Sequence, residues 1–220
     1  MGKRKISSIA TKFLMALTGA GFVLFLLFHG IMNFVSIISP EGYNAICEFL
    51  GANWYAVVGT IGLAALMVGH IVIGIVLTIQ NLRARGNVRY TKTERPMGVE
   101  WSSQNMLVLG LFILFGIVMH LYDFWYKMQF AELMGREPAN GIERIQFIFS
   151  NNHFSIMYLI WLAVIWLHLS HGLWSMFQSI GWNNERWKRR GQIIAYAVAS
   201  FIVILFASVV VYYWLIFPNL

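Results

Sequence analysis

The 220-residue chain has one cysteine, Cys47, and four prolines, none inside its long apolar stretches. A single cysteine excludes a thiolate zinc site or an iron–sulfur cluster held by this chain alone. Charge is scarce: 11% of residues carry it and only nine are acidic. There is no HExxH, no glycine-rich phosphate loop and no Ser-His-Asp arrangement, so the usual hydrolase and nucleotide-binding signatures are missing. Low-complexity tracts and internal repeats are absent too. Apolar segments free of proline argue against the discontinuous helices of many transporters.

What the chain has is hydrophobicity, at 59% of residues. Five runs, at about residues 12–38, 54–82, 103–128, 153–180 and 192–217, each meet the ~20-residue requirement for a spanning helix. The expected fold is a single all-α integral membrane unit over residues 1–220, four helices forming a bundle and the fifth supporting it. Met-Gly-Lys-Arg-Lys before the first run resembles the start of a signal peptide, but the run is too long for an h-region, and it is read as a retained helix. Pro40-Glu41-Gly42 predicts a turn after the first run, Gly86-Asn87 and Arg95-Pro96 punctuate the second loop, and Gly135-Arg136-Glu137-Pro138 breaks the third. These segments read as connectors, with 147–149 a short amphipathic approach to the fourth run. Trp54, Trp125, Tyr126 and Trp182 read as interfacial anchors.

The net charge of +7 could suggest nucleic acid, but its distribution follows topology. Lys3, Arg4, Lys5 and Lys12 precede the first run; Arg83, Arg85, Arg89, Lys92 and Arg95 follow the second; Arg186, Lys188, Arg189 and Arg190 precede the fifth. That places 13 of the 16 Lys and Arg on one side, leaving Lys127, Arg136 and Arg144 for the other. The positive-inside rule then predicts a multi-pass protein of a bacterial-type cytoplasmic membrane, with the N-terminus cytoplasmic and the C-terminus outside. The basic loops suit anionic lipid or a cytoplasmic partner.

Four of the six histidines, His29, His70, His120 and His168, lie inside four different apolar runs. An ionisable group in hydrocarbon is costly and marks function by default, although a lone histidine can simply be a hydrogen-bonded core residue. Four make two pairs, which is what iron porphyrin needs above and below its plane. Counting from the outer ends at 1.5 Å per residue puts His29 and His120 roughly 16 and 10 Å down, and His70 and His168 roughly 24 and 22 Å down. Two levels about 10 Å apart result. Without a C-x-x-C-H motif the haem would be b-type. Gly19, Gly21, Gly62, Gly69, Gly74, Gly110, Gly116 and Gly172 are expected to clear space for a flat ring, though glycine also serves helix packing in lipid. On the fourth run His168 and His171 share a face, and spacing alone leaves the choice open.

Leu167-His-Leu-Ser-His-Gly-Leu-Trp-Ser175 resembles the histidine helix of the cytochrome b subunit of succinate:quinone oxidoreductases, in the single-subunit, two-haem, menaquinone-linked type. The family's His-x-x-x-Gly-Leu-Trp pattern falls on His168, leaving His171 as second choice. Phe28-His-Gly-Ile-Met-Asn33, followed by Glu41, Tyr43 and Asn44, is similar to the family's first histidine helix and outer loop; Gly69-His-Ile-Val-Ile-Gly74 and Met119-His-Leu-Tyr122 are similar to the second and third. The likeness covers about residues 12–182 and includes the order of four histidine helices followed by one without.

The resemblance implies two haem b groups, an outer one between His29 and His120 and an inner one between His70 and His168. It implies flavoprotein and iron–sulfur subunits on the cytoplasmic face, with quinone as substrate and no nucleic acid. Succinate dehydrogenase or fumarate reductase activity would belong only to the complex. Glu48, in the outer loop, is the acidic candidate for quinone protonation, with His153 and Tyr43 as lesser ones. Gln104, Trp101, Lys12 and Gln178 are candidates for inner haem propionates. Other readings are a di-haem cytochrome of a formate or hydrogen enzyme, and a proton-coupled transporter whose histidines titrate.

Overall fold

The computed structural model describes residues 8–85, 101–179, 181 and 185–218. Lys3, Arg4, Lys5, Gly86, Asn87, Arg89, Lys92, Arg95, Pro96 and Trp182 lie outside the described residues, as do the side chains of Arg85 and Arg186. Among the described residues, nine α-helices follow one another: α1 Ser8–Ile38, α2 Pro40–Phe49, α3 Trp54–Arg85, α4 Trp101–Gln104, α5 Met106–His120, α6 Gln129–Leu133, α7 Gly141–Phe149, α8 Asn152–Ser179 and α9 Glu185–Ile216. Five stretches are long and apolar enough to cross a membrane: Ile9–Ile38, Trp54–Ala84, Met106–Trp125, Asn152–Ser179 and Trp187–Ile216. The protein is an all-α, multi-pass membrane protein. In hydrocarbon every backbone polar group must be satisfied within the chain, and a helix does this by itself.

Two connectors expected from the sequence are helical instead. Ser39 is extended (φ −146°, ψ 102°) and its hydroxyl accepts from the Gly42 amide, while Pro40 occupies the first turn. Proline there loses no needed donor, so Ser39-Pro40 begins α2 rather than marking a turn. Asn140 caps α7 in the same way, accepting from the amides of Ile142 and Glu143. The break at 135–138 is real, with Gly135 at φ +67°. The third span ends differently from the others, since α5 passes at His120 into a π-helical turn, Leu121–Trp125. Such turns occur often at functional sites.

Short helices α2, α6 and α7 gather at one end of the bundle, here the capped end; the other is the open end. Gln129 ties the capped end together. Its carbonyl accepts from Thr60 at 2.8 Å and Trp125 Nε1 at 2.9 Å, and its amide donates to Gly51 O at 2.9 Å. Glu132 accepts from the Ala52 amide at 2.9 Å.

Between the ends, α8 and α9 pack most extensively, α1 lies against both, and α3 leans mainly on α1. Lipid is as apolar as leucine, so helix contact depends on close fit. Ala195, Ala199 and Ile202 on α9 are wholly buried against Leu169, Leu173 and Trp174 of α8. Ala195 and Ala199, four apart on one face of α9, have the small-xxx-small spacing that lets helices approach closely. A second cluster joins Tyr43, α7, the start of α8 and the end of α9 through Ile145, Ile148, Phe149, Tyr158 and Tyr213. Leu24, Ile61, Phe115 and Ile204 face outward, as lipid-facing side chains do.

Enlarging Ala199 tests this packing. Ala199→Leu is expected to lower stability by about 1–3 kcal/mol through overpacking of the α8–α9 seam, read as a lower unfolding midpoint in detergent. An unchanged midpoint would show that the seam is not tight.

Candidate functional site: two histidine pairs

Histidines from α1 and α5 meet near the capped end, where the His29 and His120 rings lie 5.8 Å apart at 84°. Histidines from α3 and α8 meet nearer the open end, where His70 and His168 lie 6.4 Å apart at 61°. These are the pairings read from the sequence. His168, not His171, faces His70, and His171 sits half-buried one turn further along α8.

Several helices contribute to both levels. Gly19 of α1 would bring a Cβ within 3.9 Å of His70, and Gly110 of α5 one within 3.9 Å of His168. Ten residues separate each glycine from the histidine on its own helix, so the levels are about 15 Å apart along the helix axes. The estimate of about 10 Å from loop ends is too small. Loop ends are poor landmarks here, because only Ser39 separates α1 from α2 and the third span ends in a π turn.

The Thr18 hydroxyl lies 3.0 Å from the main-chain oxygens of Leu14 and Met15 and 2.9 Å from His70 Nδ1. A helical threonine that gives its proton to the preceding turn has its oxygen free to accept from Nδ1–H. With the proton on Nδ1, Nε2 of His70 keeps its lone pair, the form in which histidine ligates metal. At the other level Asn33 donates to His29 O at 2.8 Å and lies 3.4 Å from His29 Nδ1. Tyr43 donates to Asn33 Oδ1 at 3.4 Å, linking α2 to that histidine.

The second member of each pair is different. His120 Nδ1 and His168 Nδ1 are buried without a hydrogen-bond partner. An unpaired buried nitrogen costs free energy unless a ligand or ion uses the ring. A metal ion bonded to one nitrogen of each ring at about 2.0–2.1 Å would set the ring centroids about 6 Å apart, on the imidazole–metal distance of other sites. The observed 5.8 and 6.4 Å bracket that value. Donor type, separation and orphaned nitrogens thus fit a bis-histidine iron porphyrin at each level.

Aromatic side chains wall the capped-end pair. Phe25 stacks on His29 at 5.2 Å, and Trp161, Phe124 and Tyr158 surround His120 at 5.9, 5.2 and 6.3 Å. Trp161 fits only because residue 116 is glycine, since a Cβ there would collide with the indole, which donates to Ile113 O at 3.2 Å. Gly116 is therefore a packing glycine. So are Gly21, against Leu66, and Gly74, against Met15; a Cβ added at Gly62, Gly69 or Gly172 would meet nothing within 4 Å. Of the glycines expected to make room for a ring, Gly19 and Gly110 are the two beside histidines.

The remaining sequence candidates lie at the ends. Glu48 is exposed on α2, Lys12, Gln104, Trp101 and Gln178 are exposed toward the open end, and His153 is exposed in the first turn of α8. Thr18, Asp123, Tyr158 and Trp161 are additions from the structure. An acid inside an apolar run was a readable signal for Asp123; the Thr18–His70 contact spans 52 positions and has no local pattern. No family model, curated protein or solved structure matches the chain.

Outside the spans, the Cys47 thiol lies beside the Tyr43 phenol, whose proton goes to Asn33 Oδ1. Burial pushes the Cys47 thiol above its ordinary range, opposed by the neighbouring Tyr43 hydroxyl and reinforced by Glu48. Burial likewise raises the Tyr43 phenol well above its usual range. Because the thiolate is the nucleophile, alkylation of Cys47 should be slower than that of a free thiol at neutral pH and should speed up as pH rises past the usual thiol range. Free-thiol rates at neutral pH would contradict this environment.

Proposed function

We propose that this chain is the di-haem b membrane anchor of a succinate:quinone oxidoreductase, carrying electrons across the membrane between an iron–sulfur subunit and quinone, with menaquinone favoured. The observation that carries the reading is the pair of two-histidine sites, at 5.8 and 6.4 Å, on two levels of one bundle. The likeness of residues 167–175 and of the three other histidine segments to that family supplies the choice among di-haem cytochromes. The positive-inside rule supports placing the open end in the cytoplasm, where flavin and iron–sulfur subunits would dock, and the capped end outside.

His29 with His120, and His70 with His168, would hold the two haems. When bound, these supply one-electron transfer in either direction. The chain's own work is ligation, orientation and exclusion of water. Thr18 holds His70 in the ligating tautomer, Asn33 anchors His29, and Phe25, Phe124 and Trp161 keep the capped-end imidazoles in an apolar, rigid setting. Glu48, exposed on α2, is a candidate for exchanging protons with a quinone headgroup at that end.

Purification from native membranes in mild detergent tests the assignment to this complex. Flavin and non-haem iron should accompany the chain, and succinate should reduce its b-type absorption. A haem-loaded chain that carries no flavoprotein and ignores succinate would move it to another dehydrogenase. Within the chain, His168→Ala is expected to remove one of two b-type signals, while His171→Ala keeps both and at most shifts a potential. The reverse pattern would place the ligand on His171.

A further inference from the structure

One buried acid takes no part in holding the histidine pairs. Asp123 is 4% exposed and lies in the third span, where ionisable groups are costly and therefore functional by default. Tyr158 donates to Asp123 Oδ2 at 3.0 Å, and the Tyr158 ring stands 6.3 Å from that of His120. Phe124 and Phe149 pack on Tyr158 at 6.3 and 5.1 Å and close that side to water.

The other side leads out. Arg144 donates through Nε to the main-chain oxygen of Asp123. It also lines a cleft of about 700 Å³ at the capped end, with Lys127, Arg136, Glu137, Asn140 and Glu143 among the other walls. All three basic residues that the sequence leaves to this side, Lys127, Arg136 and Arg144, line this one cleft. Asp123 thus lies between the cleft-lining Arg144, which holds its main chain, and Tyr158, which holds its carboxylate beside the His29/His120 level.

A purely structural staple between the π turn and α8 would not need an acid. Asparagine offers the same acceptor to Tyr158 without a charge to desolvate.

We propose that Asp123 is the proton-accepting group of the capped-end histidine level, an inference that rests on the di-haem reading. When that level gains one electron, from the iron–sulfur partner or from an added reductant, the Asp123 carboxylate takes one proton from water in the cleft. A carboxyl O–H bond forms and the net charge of the site is unchanged. On reoxidation the O–H bond breaks and the proton returns to the cleft. The groups facing Asp123 are Tyr158 from α8 and Arg144 from α7, with His120 one turn back along its own segment and Lys127 and Glu143 in the cleft beyond.

Redox titration of the haem-loaded complex at a series of pH values, followed in its b-type absorption with dithionite as reductant, tests this. In the wild type the midpoint potential of one signal should fall as pH rises. Asp123→Asn should keep both signals and flatten that dependence, and Asp123→Glu should restore it. Should Asp123→Asn fail to assemble, Tyr158→Phe, which leaves the carboxylate but removes its hydrogen bond, should displace the pH range of the change. An unaltered slope in Asp123→Asn, an unmoved profile in Tyr158→Phe, or a wild type without pH dependence overturns the inference while leaving the di-haem reading intact. Protein without any b-type absorption overturns both.

Discussion

The structure depends on how imidazoles are accommodated where there is no water. A neutral imidazole has one donor and one acceptor nitrogen, and an unmet one in a bilayer is expensive. Here the solution is uneven within each pair. His70 and His29 have neighbours at Nδ1, Thr18 and Asn33, whereas Nδ1 of His120 and of His168 is buried and unpaired. Helix α1 serves both levels, giving Thr18 to one and His29 to the other. Helix α5 does the same, with Gly110 beside His168 and His120 at the other level, so the two helices together fix the spacing.

Packing is arranged around this requirement. Close fit is concentrated where α8 meets α9, at Ala195 and Ala199, and at the capped end, where Gln129 and the caps Ser39 and Asn140 hold α2, α6 and α7. Helix α3 is held chiefly by α1 and has little contact with α5, even though its His70 approaches His168. Rigidity on one side and a lightly packed helix on the other are what a bundle needs if something besides side chains is to lie between its members.

Much of this was legible in the residues. Apolar length placed all five spans to within five residues, because hydrocarbon thickness leaves little freedom. The histidine pairs followed from depth, since two residues on different helices can meet only at one level. What depth did not supply was any contact across sequence, such as Thr18 with His70 or Asp123 with Tyr158. Glycine was ambiguous for a physical reason: the same absence of a Cβ admits Trp161 at Gly116 and leaves clearance beside His168 at Gly110. The helical connectors were signalled by Ser39-Pro40 and Asn140, which are capping residues as much as turn formers.

Haem content per chain tests the central claim most directly. Protein purified from membranes supplied with haem precursors, assayed as the pyridine haemochrome against protein concentration, should contain about two b-type groups per chain if each histidine pair holds one iron. A reproducible absence of b-type absorption, or a saturated value of about one, would contradict two ligating pairs.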